Sequence, residues 1–471
     1  MHIEQIYTGC LAQGAYYIHS GGEGIIIDPL REVGPYLDRL SRDGVVLKYI
    51  FETHFHADFV SGHLDLSAKT QAPIVFGPLA NPSFPCIIAK DDQEFLVGKI
   101  RIKVLHTPGH TMESSCYLLI DEQGTPHSLF SGDTLFLGDV GRPDLAQKAI
   151  DTSQEELAGI LYDSLLNKIM PLPNSVMVYP AHGAGSSCGK NMMKETMDSL
   201  GHQKEMNYAL NQPTKEAFVE AVLDGLMPAP AYFPMNVSMN KKGYNSMDEV
   251  MGKALRSLGV EAFEMVAERT QSVILDTRSP EEFAKGFIPR SINIGIDGQF
   301  APWVGSVIAD SEKSILLVTA PGREVETITR LSRVGFDCVL GYLQGGFDTW
   351  ISAEKKIDRV NRITASQFAA ELAIGESVVI DVRKEAEYRG EHIEEAFNKP
   401  LDFISDWVQG IDSQRPFFMH CAGGYRSMIA ASILKSRGIH NFKEIEGGFG
   451  EIAKTTAPKT DFISQSKLQK T

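Results

Sequence analysis

Short apolar runs broken by turn residues fill the first 200 positions: GIIIDP, VVLKYIFETH, APIVFG, IRIKVLHTPGH, SLFSGD and SVMVYPAHG. Runs of about four to eight apolar residues bounded by Gly, Pro and His predict strands, and helical stretches fall between several of them. The class is therefore α/β. Residues 211–245 begin as an amphipathic helix and then become rich in Pro, Met and Asn, the pattern of a connector that also lies over a pocket. Beyond it the chain repeats itself. VILDTRSPEEFAKGFIPRSIN and VVIDVRKEAEYRGEHIEEAFN align at a constant offset of 105, pairing Asp276 with Asp381, Arg278 with Arg383, Glu282 with Glu387 and Asn293 with Asn398, and each copy later ends in GGF. Both copies alternate β-rich runs (ILLVTA, PFFMHC) with helical ones, which predicts two small doubly wound α/β domains with parallel strands. Two copies are too few for a solenoid, so a tandem duplication is expected.

At 471 residues the chain exceeds a single core and should hold about three domains. The expected bounds are 1–245, 258–355 and 362–460. The net charge of −15 is spread without long runs, which argues against nucleic-acid or membrane-surface binding and leaves small thiol substrates open. No basic segment followed by an apolar one opens the chain, and no stretch reaches the ~18 apolar residues of a membrane span. A soluble, cytoplasmic protein is expected. Its six cysteines are scattered with no CxxC pair, which excludes a disulfide framework or zinc knuckle as the first reading.

Candidate chemistry gathers at the ends of the predicted strands. THFHADF sets His54, His56 and Asp58 on alternating positions past an apolar run, and His110 (HTPGHT), Asp133 (FSGDTLF) and His182 (YPAHGAG) each follow a strand-like run. Side chains so placed can converge on one metal ion. The set, with the words TPGHT, SGDTLF and PAHG, resembles the metallo-β-lactamase fold, a four-layer αββα sandwich. In hydrolases of that fold HxHxDH serves two metals, and here the second His is Phe59, whose ring has no lone pair to give. His63, four residues on, could substitute, although a helix-surface position is the expectation.

Within the fold the chain most resembles the persulfide dioxygenases. The resemblance implies that His54, His110 and Asp133 hold one Fe(II) per chain, with zinc as the alternative ion. Two imidazoles and a carboxylate on one face leave about three positions open, which suits non-haem iron. His56, Asp58 and His182 would orient ligands and water, or else hold a second metal. GDVGRPDL supplies Arg142 and Asp144; a grip on a substrate carboxylate and an ordinary surface ion pair both stay open. Cys188, six residues past His182, is a candidate accessory thiol, with packing as its alternative role.

In PFFMHCAGGYRSMIAASIL an apolar run ends at Cys421 and a helix is predicted from about Arg426 or Ser427. Gly423 and Gly424 let consecutive N–H groups turn inward at the positive end of that helix, and this field together with Arg426 should lower the thiol pKa. With DVR, EY, HI and GGF around it, residues 362–460 resemble a rhodanese domain, lacking only the tryptophan usual after GGF. The first copy departs where it matters. Aligning Thr319 with His420 puts Ala320 at the cysteine position, and Thr319 to Gly335 is two residues shorter than His420 to Gly438. A shortened loop without a thiol predicts a silent scaffold.

The whole order resembles the bacterial persulfide dioxygenase–rhodanese fusions. This implies oxidation of a low-molecular-weight thiol persulfide by O2 to sulfite, and sulfur transfer through Cys421 to give thiosulfate. Two alternatives stand beside it: a zinc thioester hydrolase like glyoxalase II, and a non-enzymatic persulfide carrier or sensor. The carrier thiol stays open, as does the oligomeric state between monomer and homo-oligomer.

Overall fold

The structure, a computed structural model, describes residues 1–145, 152–308, 310–375 and 378–462. The chain divides into two compact units, one of Met1–Val250 with Ser332–Gly335, the other taking in the remaining residues from Met251 on.

The first unit is built on two six-stranded sheets, each with its strands adjacent in chain order. One holds His2–Thr8, Gln13–Ser20, Glu23–Ile27, Val46–Glu52, Ile74–Phe76 and Ile87–Ile88; the other holds Glu94–Val97, Ile100–His106, Ser115–Ile120, Pro126–Gly132, Met177–Pro180 and Asp198–Ser199. Strand residues alternate between two faces, and here both faces are covered. Tyr16, Ile18, Ile25, Ile27 and Phe51 meet Ile100, Ile102, Val104, Tyr117 and Phe130 between the sheets. On the opposite face Ala15, Tyr17, Ile26 and Ile50 pack under the helices Gly34–Asp43 and His63–Thr70, through Tyr36, Leu40 and Leu66. Leu118, Leu129 and Val178 do the same for Gln154–Ser164 and Lys215–Leu223. This is the expected αββα sandwich. Burial on both faces explains why these strands read as continuous apolar runs rather than alternating ones.

The second unit contains two five-stranded parallel sheets of matching order. The first runs Ser257–Leu258, Val339–Leu343, Ile315–Val318, Val273–Asp276, Ile292–Asn293, and the second runs Arg362–Ile363, Phe442–Ile445, Phe417–His420, Val378–Asp381, Phe397–Asn398. Each sheet carries its own buried cluster, as the duplication requires. In each copy a buried aspartate at a strand end binds an arginine two residues on, and the guanidinium lies 4.0 Å over a phenyl ring: Asp276, Arg278 and Phe347, then Asp381, Arg383 and Phe449. At the position of Trp350 the second copy has Ile452, which is fully buried, so the missing tryptophan is a change of packing residue. Among the described residues no helix is long and apolar enough to cross a membrane.

Candidate functional site

Parallel strands end on the same edge of their sheet, so the loops that follow them can share one pocket. His54, His56 and Asp58 follow Val46–Glu52, Asp133 follows Pro126–Gly132, and His182 follows Met177–Pro180. One ligand atom each from His54, His110 and Asp133 lies within 4.8 Å of the others, and all three residues are buried. The imidazoles are oriented from behind. His110 Nδ1 donates to the Arg142 carbonyl at 2.8 Å. Thr53 Oγ1 donates to Asp28 Oδ2 at 2.8 Å and accepts from His54 Nδ1 at 3.0 Å. Both rings therefore present an Nε2 lone pair toward Asp133 Oδ2, at 3.9 and 3.5 Å. Burial, and then the neighbouring histidines, push His54 well below its ordinary pKa, so that lone pair stays free. Both Asp133 oxygens are buried without a hydrogen bond. An orphaned buried carboxylate facing two imidazole nitrogens is costly by itself, and a cation bound by all three removes the cost. The donor set thus fits a metal ion. Close approach is built in at Gly141, where a Cβ would stand 1.9 Å from the Asp133 carbonyl and 3.0 Å from His110 Nδ1.

His182, Asp58 and His56 form a neighbouring trio. Burial disfavours the charged form of His182, but Asp58 and Asp133 outweigh it and raise its pKa well above the ordinary value. His182 Nε2 lies 3.4 Å from Asp58 Oδ2 and 3.6 Å from Asp133 Oδ1. Phe59 is fully buried and stacks on His56 at 4.3 Å, so an apolar ring stands at the position where HxHxDH has its last histidine. His63 does not take its place. Contrary to the helix-surface expectation it is fully buried, its ring 5.0 Å from Phe84, and burial pushes its pKa down to about 3. The face of the helix that carries it is covered, while Ala68 and Lys69 stay exposed.

Arg142 is buried, not on the surface. Its fork spans Asp144 at 2.6 and 2.7 Å, and its remaining donors reach the Ser187 and Met227 carbonyls. Arg142 and Asp144 are thus paired with each other and tie three loops together. The Arg142 backbone also accepts from His110 and donates to the Cys188 carbonyl. Cys188 is buried close to Asp133 and His182; burial, then the Asp58 and Asp133 charges, push its thiol up to about 12.

In the second unit Cys421 follows Phe417–His420 directly and the helix Tyr425–Ser436 starts four residues later. Gly424, at φ +104°, turns its N–H onto Cys421 Sγ at 3.1 Å, and Ser427 Oγ lies 3.4 Å from the same sulfur. The Gly424 N–H and the positive end of the helix face the sulfur, whereas the Ser427 hydroxyl gives its proton to Glu444 Oε1 at 2.6 Å. The contribution expected of Arg426 is tempered, because its guanidinium is held by Glu387 at 2.6 and 2.8 Å. Gly423 lines the cavity above Cys421.

Residues 8–182 match the metallo-beta-lactamase superfamily, and residues 261–353 and 364–455 match the rhodanese-like domain. A metallo-beta-lactamase structure from Staphylococcus aureus subsp. aureus COL is 30% identical with a TM-score of 0.65, covering 73% of this chain and 99% of its own. The chain belongs to the metallo-β-lactamase superfamily and carries two rhodanese-like domains. Among curated relatives, a hydroxyacylglutathione hydrolase of Tolumonas auensis is 33% identical over 171 residues, 36% of this chain and 60% of that protein. A structure titled ETHE1 from Myxococcus xanthus is 27% identical with a TM-score of 0.44, covering 51% and 98%. The chain spans about 60% of the length of the first hydroxyacylglutathione hydrolases it matches.

Sheet register corrects the alignment of the rhodanese-like copies. Asp276 pairs with Val318 where Asp381 pairs with His420, and Thr277 N donates to Val318 O as Val382 N does to His420 O. Thr319, not Ala320, stands where Cys421 does. The helix after it, Glu324–Arg333, starts five residues on rather than four, so the loop is not contracted; the deficit lies in a helix of 10 residues against 12.

Three groups near the metallo-β-lactamase pocket escaped the sequence reading. Asp28, at the end of GIIID, holds Thr53 through both its N–H and its hydroxyl. Glu52 lies under His56, and burial followed by the Asp28 charge raises its pKa well above the carboxylate range. Asn240, in the connector helix Phe233–Lys242, donates to the carbonyls of His56 and Phe59 and accepts from Ser61 N. The connector therefore fixes the THFHADF loop. An asparagine inside a helical stretch was the only signal.

Proposed function

We propose that the metallo-β-lactamase domain oxidises a low-molecular-weight thiol persulfide with O2, water supplying the third oxygen, to give sulfite and the thiol, and that Cys421 passes sulfane sulfur. The observation that carries this reading is Phe59, fully buried against His56. It puts a ring without a lone pair where HxHxDH has a ligand for a second metal, which favours the His54, His110 and Asp133 triad over the neighbouring His56, Asp58 and His182 trio. Two imidazoles and one carboxylate suit Fe(II). Iron would supply binding of the terminal sulfur and activation of oxygen. The chain's own residues hold the ligands: Asp28 through Thr53 orients His54, and the Arg142 carbonyl orients His110. The Cys421 thiolate would attack the outer sulfur of a second persulfide, the thiol leaving with the electron pair of the broken S–S bond, and the Gly424 N–H lies against Sγ, the atom to which charge returns in the next step. The lone pair of sulfite attacks that outer sulfur, the S–S bond breaks, and its pair returns to Cys421, releasing thiosulfate.

The hydroxyacylglutathione hydrolase relatives favour a second reading, a zinc thioester hydrolase. Metal content and oxygen uptake separate the two. The expectation is about one iron per chain, persulfide-dependent oxygen uptake, and loss of both in His110→Ala. Two zincs per chain with thioester hydrolysis and no oxygen uptake would establish the hydrolase instead.

A further inference from the structure

The cavity over Cys421 measures about 370 Å³, and both rhodanese-like copies line it: Lys384, Glu387, Tyr425 and Arg426 from the second, Gln299 and Trp303 from the first. That volume lies within the roughly 300–1,000 Å³ of organic-ligand sites. At about 30 Å³ per water-sized atom, a five-atom thiosulfate needs only roughly 150 Å³. The wall from the first copy is anchored, not incidental. Tyr425 Oη donates to the Gly295 carbonyl at 2.6 Å, Arg330 Nη1 donates to Ile296 O at 2.6 Å, and Asn293 N donates to Ser432 Oγ at 2.9 Å. A Cβ at Gly298 would lie 2.5 Å from the Tyr425 ring, so the segment leading to Gln299 is pressed against the reactive loop.

The chemistry of the lining is graded. Trp303, in the first turn of the helix Phe300–Val307, brings part of a largely buried aromatic ring to the lining, and exposed Gln299 offers an amide that both donates and accepts. Arg426 is neutralised by Glu387, which leaves exposed Lys384 as the cation of the lining without an ion pair among the described residues. An aromatic face, an amide and an ammonium together match a flat peptide group with a carboxylate nearby.

We propose that the first copy, which has no cysteine in its loop, is the specificity half of the Cys421 site: Trp303 and Gln299 seat the organic body of an amide-bearing thiol, whose carboxylate meets Lys384. This rests on the reading of Cys421 as a sulfur carrier. The Cys421 thiolate attacks the outer sulfur of thiosulfate, that S–S bond breaks, and sulfite leaves with the electron pair. The seated thiolate then attacks the outer sulfur of the Cys421 persulfide, and the pair of the broken S–S bond returns to Cys421.

The test uses the full chain, with thiosulfate as donor and either glutathione or cyanide as acceptor. Trp303→Ala and Gln299→Leu should each lower the ratio of kcat/KM for glutathione to that for cyanide about tenfold, mainly by raising KM for glutathione. Trp303→Phe keeps a flat ring and should hold the ratio within about twofold of wild type. Exposed Gln299 supplies a reading even where Trp303→Ala fails to fold. An unchanged ratio in Gln299→Leu, and in Trp303→Ala where that variant folds, including equal losses on both acceptors, overturns the inference while leaving sulfur transfer standing. No transfer to cyanide by the wild-type chain would overturn both together.

Discussion

The two rhodanese-like copies share a frame and differ in one loop. In each, the arginine Nε and Nη2 meet the buried aspartate at 2.5 to 3.1 Å, and the asparagine of the edge strand donates to the same two carbonyls. The loops diverge directly after the strand. One has Cys421 and an amide turned onto its sulfur; the other has Thr319, then Pro321, which lacks an N–H, and a longer approach to its helix. On the proposed function, fold and chemistry are separable here: the Asp–Arg–Phe cluster carries the first, and a handful of loop residues would carry the second.

Replacing Cys421 by Ser should have the largest effect. It keeps the loop's shape but removes the nucleophile, and thiosulfate-to-cyanide transfer should fall by about 10³-fold or more. Thiocyanate production checks this, and Thr319→Ala should change it little. Next come Asp276→Ala and Asp381→Ala. Each strands a buried guanidinium, and each should destabilise its copy by about 3–5 kcal/mol in denaturant unfolding. A much milder loss for Asp276 would break the equivalence of the frames.

Glu387→Gln releases Arg426 and should lower KM for the thiosulfate dianion about threefold at low salt, fading as salt rises. Glu282→Gln is the matching control, because Glu282 caps Ser279 instead, and it should leave KM unmoved. The smallest effect is expected from Thr319→Cys in a Cys421→Ser background. It places a thiol at the corresponding position without the inward amide, and thiocyanate should stay at background. Clear turnover there would show that the thiol alone separates the copies.

Much of this was legible in the sequence because strand ends are legible. His54, Asp133 and His182 each follow an apolar run, and a run of that kind predicts where its last residue will sit. The register between the copies was not. ILLV and FFM are both uniformly apolar and differ in length, so the apolar pattern does not decide between Val318 and Thr319 as the counterpart of His420; strand pairing with Asp276 decides it. His63 misled for a related reason, since an eight-residue helix does not announce that Tyr244, from far along the chain, covers its outer face. Asn240 and Trp303 lay beyond reach because their partners are remote in sequence.

The close fit of Gly298 under the Tyr425 ring has a consequence for the history of such a chain. A duplicate that loses its nucleophile is ordinarily free to drift, shrink or be deleted. Here any side chain at position 298 would meet the ring of Tyr425, which opens the helix after Cys421, so under the proposed chemistry selection on Cys421 would reach into the duplicate as well. Its surface away from the cavity would then be freer to diverge than the stretch from Gly295 to Trp303.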